Sequence, residues 1–62
     1  MTYKKLAAKV RRTAVQMRET AEAMQEAARG DINCLLAKHG VELEAAAAIA
    51  TSWAREIERI QK

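Results

Sequence analysis

The chain has no phenylalanine and no proline, only two glycines and one cysteine, and Tyr3 and Trp53 are its only aromatic residues. Each scarcity closes off a class of structure. A lone Cys34 cannot form an intrachain disulfide, and together with His39 it falls short of the four ligands of a structural zinc site. No apolar run approaches the roughly 18 to 20 residues of a membrane-spanning helix. The free thiol and the lack of a signal peptide are what a cytoplasmic protein would show, and the cytoplasm is the expected location. With proline absent and Ala, Leu, Met, Glu, Lys, Arg and Gln filling most of the chain, most residues lose little on entering a helix. An all-α protein follows. Its core has to be built from Ala, Met, Leu, Ile and Val, and small core residues mean closely approaching helices.

Sixty-two residues make a single helical domain, 1–62, and a chain this short buries only about 60% of the surface its unfolded form exposes. Disulfide and zinc being excluded, oligomerisation is the remaining common remedy for a small core.

A seven-residue repeat organises the first segment, expected as a helix over about 2–29. Tyr3, Val10, Met17 and Met24 form one row, and Ala7, Ala14, Ala21 and Ala28 the other, their spacings alternating four and three as in a coiled-coil seam. Leu6, Thr13, Thr20 and Ala27 flank that seam and widen the apolar face. Gly30 then reads as a C-terminal cap and Asp31 as the N-cap of a second helix, so the turn is expected at 30–31 and the second helix over about 32–61. In this second run Ile32, His39, Ala46, Trp53 and Ile60 form one row and Leu36, Leu43, Ala50 and Ile57 the other. Folding the runs back on each other gives an antiparallel helical hairpin about 40 Å long at the helical rise of 1.5 Å per residue. It brings Val10 near Ala50 and Trp53, and Met24 near Leu36 and His39.

Gly40 leaves two readings open. Lys38, His39, Gly40 and Val41 look like a helix ending, whereas the heptad register passes through Gly40 without a skip and favours a continuous or mildly kinked helix. A hairpin alone also leaves flanking rows uncovered. Gly40, Ala47 and Ala54 on one flank, and Leu35 and Ile49 on the other, are expected to meet a second hairpin in a dimeric four-helix bundle.

Charge is distributed unevenly. The first eighteen residues hold Lys4, Lys5, Lys9, Arg11, Arg12 and Arg18 with no acid, and the rest of the chain is net negative. Lys4, Arg11 and Arg18 fall in one helical row and Lys5 and Arg12 in the next, a stripe of cations about 20 Å long. Positive charge in the first turns opposes the helix macrodipole, so helix formation alone does not favour it. The stripe would suit RNA or DNA phosphates or an acidic partner, or would pair with Glu42, Glu44, Glu56 and Glu58.

Chemistry-bearing motifs are otherwise scarce. No convergent acid, base and nucleophile can be assembled, and no cofactor, metal or small-molecule substrate is expected. His39 and Trp53 fall on the apolar seam and read as packing residues, Cys34 as a partly exposed thiol, and Met17 and Met24 as plain core. An alanine-rich apolar face is too weak to hold the basic helix on a membrane.

The stretch from Leu35 to Trp53 resembles the helix-turn-helix of bacterial repressors, with Gly40 and Val41 at the turn. His39 and Leu36 stand where an apolar and a small residue belong, and Glu42 and Glu44 would repel phosphate, so a DNA-reading role is discounted. In overall plan the chain resembles the Rop-like helical-hairpin dimers of plasmids, and in size the small accessory proteins of temperate phage. That likeness rests on a length near sixty, two heptad helices joined at Gly30 and Asp31, and alanine recurring on the seam. It implies an antiparallel four-helix dimer and RNA binding by the first helices; no residue role is carried over. The functional expectation is a small non-enzymatic regulatory or accessory protein, a homodimer that binds another protein, or alternatively an RNA- or DNA-binding regulator using the basic face. Ala7, Val10, Ala14, Met17, Ala21, Met24, Leu36, Leu43, Ala47, Ala50, Trp53, Ala54, Ile57 and Ile60 are the residues expected to form core and dimer contact.

Overall fold

The computed structural model describes residues 2–60, and among them there are two α-helices and no strand: α1 spans Tyr3–Ala27 and α2 spans Leu35–Ile60. Thr2 opens α1 by accepting the Lys5 amide on its hydroxyl oxygen at 3.2 Å, which satisfies one of the donors a helix start leaves free. The helices pack against each other as a hairpin 46 Å long.

The turn is longer than the two residues the sequence suggested. Arg29 and Gly30 both take left-handed backbone, with φ of 53° and 79°. Gly30 adopts this region without steric penalty, whereas Arg29 does not. Asp31 does cap, but it caps a separate turn over 31–34: its carboxylate accepts the Asn33 amide at 3.0 Å and its carbonyl the Cys34 amide at 3.0 Å. The Cys34 carbonyl then receives the Ala37 and Lys38 amides, which moves the start of α2 from Ile32 to Leu35. Ile32, expected on the seam, is left in the turn at 80% exposure.

Gly40 lies inside α2, which continues through it as an α-helix. Its backbone sits so close to α1 that a Cβ there would stand 2.8 Å from Gln25 Cγ and 3.0 Å from the Ala21 carbonyl oxygen. That approach decides which rows form the seam. On α1 the alanine row is inside: Ala7, Ala14 and Ala21 are buried, as is Ala28 just past its end. On α2 the buried row is Gly40, Ala47 and Ala54, with Ala50 beside it. The smallest residues of each helix therefore face each other, and Gly40, Ala47 and Ala54 belong to the inside of the hairpin rather than to a contact between copies. In the row Ile32, His39, Ala46, Trp53 and Ile60 only Ala46 is half-buried; His39, Trp53 and Ile60 are exposed, because side chains of that size cannot enter a gap set by alanine and glycine.

The register is fixed at two points. Arg11 Nη2 donates to Glu58 Oε1 at 2.6 Å and Gln25 Nε2 to Glu44 Oε2 at 3.2 Å, so two heptads forward along α1 match two heptads back along α2. Equal spacing on antiparallel helices keeps alanine opposite alanine or glycine along the whole contact.

Candidate functional site

A seam of methyl groups stabilises the hairpin modestly. A buried methyl contributes about 0.8 kcal/mol, against about 1.5 to 3 kcal/mol for a whole Leu, Ile, Val or Met side chain. Among the described residues, only alanines and Gly40 are buried, and no large side chain is fully enclosed. Val10, Met17, Met24, Leu43 and Ile57 are half-buried beside the seam; Leu36, Trp53 and Ile60 are exposed, Trp53 at 57%. As a single chain the protein fully buries none of the large apolar side chains expected in its core.

These residues collect on one side. The rows flanking the seam there are Tyr3, Val10, Met17, Met24 and Leu6, Thr13, Thr20, Ala27 on α1, with Leu36, Leu43, Ala50, Ile57 and His39, Ala46, Trp53, Ile60 on α2. They contain no Asp, Glu, Lys or Arg. Leu6, Val10, Met17, Ile49 and Trp53 stand around an open groove of about 580 Å³ floored by Ala46, Ala50 and Thr13, with Lys9 at its rim. The hydroxyls of Thr13 and Thr20 donate to the carbonyls of Lys9 and Gln16, each at 2.9 Å, so covering them strands no donor.

The opposite side is charged. Its flanking rows carry Lys4, Arg11, Arg18 and Glu22 on α1, and Glu44, Arg55 and Glu58 on α2. Lys4, Arg11 and Arg12 border a shallow depression of about 620 Å³ that also includes Glu19, Glu58, Ala8 and Val15. Arg18 lies farther along, beside Glu22, Glu44 and Val41. Lys9 faces the other groove, so the six cations are not one continuous surface. Of the expected pairings with acids of the second helix, Arg11 with Glu58 is made; Glu44 instead accepts Gln25, and Glu42 lies 3.4 Å from His39 Nδ1. Arg11 and Glu58 are each about half exposed in this pair.

The remaining candidates scatter. His39 is exposed and not packed in the seam, and Cys34 is half-buried in the turn ahead of α2. With α2 unbroken, Gly40 and Val41 form no turn, and the helix-turn-helix geometry is absent. No group of three His, Cys, Asp or Glu residues among the described residues is placed to hold a metal ion, and no helix is long and apolar enough to cross a membrane.

Sequence reasoning missed the true seam of α2 although its signal was present: Gly40, Ala47 and Ala54 recur every seven residues, as the alanines of α1 do. Size complementarity selects that pair of rows. Comparison with protein-family models, with curated proteins and with solved structures finds no match to this chain.

Proposed function

We propose that the protein works by binding another polypeptide chain, as a small non-enzymatic regulatory or accessory protein, and that the uncharged face of the hairpin is the contact. One observation carries this reading: Leu6, Val10, Met17, Ile49 and Trp53 line one open groove on a face whose flanking rows carry no charged residue, while only alanine and glycine fill the seam. Contiguous exposed apolar surface on a small water-soluble fold marks an interaction site. Helices pack on such a face by setting their own apolar rows into its grooves.

A photo-reactive residue placed at Ile49 tests it, with the same residue at Val15 on the charged side as control. Irradiation in cells should cross-link a polypeptide from position 49 and little from position 15. An absence of protein products from position 49 in a folded, helical variant would refute the reading.

The cationic stripe supports a second reading, RNA or DNA binding through Lys4, Lys5, Arg11, Arg12 and Arg18, because among the described residues only Arg11 of this set has an ion-pair partner. Titration of labelled single-stranded, hairpin and duplex RNA and DNA at low and near-physiological salt separates it from the first. Each phosphate neutralised on a duplex adds about 0.9 to the log–log salt slope, so binding that collapses with salt and disappears in Lys5→Glu with Arg12→Glu would move the function to the stripe.

A further inference from the structure

Resting on the protein-binding reading, we infer that the uncharged face is closed by a second copy of the same chain, giving a two-fold, four-helix dimer with the alanine and glycine seams inside each hairpin and the cationic stripes outside.

The argument begins with area. A folded monomer of 6.9 kDa is expected to expose about 4,000 Å². The hairpin exposes 4852 Å². The excess is close to the ~800 Å² that each partner contributes to a standard interface. One flat layer of two helices has this surplus because each helix has a neighbour on a single side; a second layer removes it.

Charge selects the occupant. The chain carries a formal net charge of +3, so two copies repel unless their charges are kept apart. The sixteen residues flanking the seam on the apolar side include no carboxylate, ammonium or guanidinium group, whereas the other side holds Lys4, Arg11, Arg18 and Arg55 together with Glu22, Glu44 and Glu58. Apposing the uncharged faces buries no charge and puts the cations at the greatest separation the hairpin allows. A partner selected by charge would find only Lys9, at the rim.

Shape agrees. A two-fold contact requires projections and hollows on the same patch, since each copy offers the same surface to the other. Exposed Leu6 and Trp53 and half-buried Met17 line the groove together with the smaller Thr13, Ala46 and Ala50. Both halves of the match are present on one face. Thr13 and Thr20, already bonded to their own backbone, enter such an interface without loss.

Sedimentation equilibrium of the purified full chain over about 1 to 500 µM, together with the concentration dependence of its thermal unfolding, tests the proposal. The expected result is a dimer whose melting temperature rises with concentration and whose Trp53 emission shifts to the red on dilution. Ile49→Lys, at a half-exposed groove edge outside the seam, should weaken the dimer by at least about tenfold because it places an unpaired charge in the contact, and Val15→Lys should leave it unchanged. Trp53→Glu should act in the same direction as Ile49→Lys. A wild-type chain that stays monomeric and helical at the highest concentration overturns the proposal; cross-links from position 49 to a different protein would then leave the protein-binding reading standing. A dimer broken by Val15→Lys and indifferent to Ile49→Lys overturns the choice of face.

Discussion

Replacing Gly40 by alanine separates two opposed effects. In an uncrowded helix interior the change stabilises by about 1 kcal/mol, from the difference in helix propensity. Here the new methyl would meet Gln25 Cγ at 2.8 Å and the Ala21 carbonyl oxygen at 3.0 Å. The first obstacle is a flexible side chain, although moving it disturbs the 3.2 Å bond from Gln25 to Glu44. The second is backbone, and relieving it means moving α2 away from α1 around Gly40. Overpacking of this kind costs typically 1 to 3 kcal/mol. The expected net is a loss of about 1 kcal/mol, which for a domain of this size lowers the melting temperature by about 4 to 8 °C. Circular dichroism melts of the two proteins at matched concentration measure it. A double variant with Gln25→Ala should recover only part of the loss, since the carbonyl contact remains. If Gly40→Ala instead raises the melting temperature, as it does in a solvent-facing helix, the helices are not as close as described and the seam assignment is wrong.

Other expectations use the same melts. Ala14→Leu puts a branched side chain into a position only 1% exposed and should destabilise by about 3 kcal/mol or more, the largest effect of the set. Gly30→Ala should cost about 1 kcal/mol through backbone strain alone, since its φ is +79° and nothing lies within 4 Å of the added Cβ; a neutral result would contradict the left-handed turn. Thr2→Ala should cost about 1 kcal/mol by removing the cap on Lys5, read most directly as faster amide exchange in the first turn. Arg11→Ala should change stability by less than about 1 kcal/mol, with the difference vanishing in high salt, because both partners of its ion pair are about half exposed.

What could be read from the sequence and what could not divide along particular residues. The seam of α1 was legible, because Ala7, Ala14, Ala21 and Ala28 repeat without a break and small residues every seventh position have few other uses. The seam of α2 was assigned one row away. Hydrophobicity points to Trp53, Ile60 and Leu36 as the inward residues, yet the interior is decided by what fits against alanine, and the tryptophan row does not. The turn was located by Gly30 but not measured, since the left-handed conformation of Arg29 and the separate capped turn from Asp31 leave no clear mark in residue type. The cationic stripe was visible as a row of residues; that Lys9 borders the apolar groove instead depends on where α2 lies.

By itself, the sequence determined two helices, a turn near Gly30 and a close contact through alanine, because helix propensity and heptad spacing act locally and need no knowledge of a partner. Only the tertiary structure decided that Gly40, Ala47 and Ala54 face α1 and that Leu6, Leu36 and Trp53 face outward. That choice is one of rotation about the helix axis. It is governed by the distance to the neighbouring backbone, 3.0 Å from a would-be Cβ at Gly40 to the Ala21 carbonyl, and no single residue's propensity encodes such a distance.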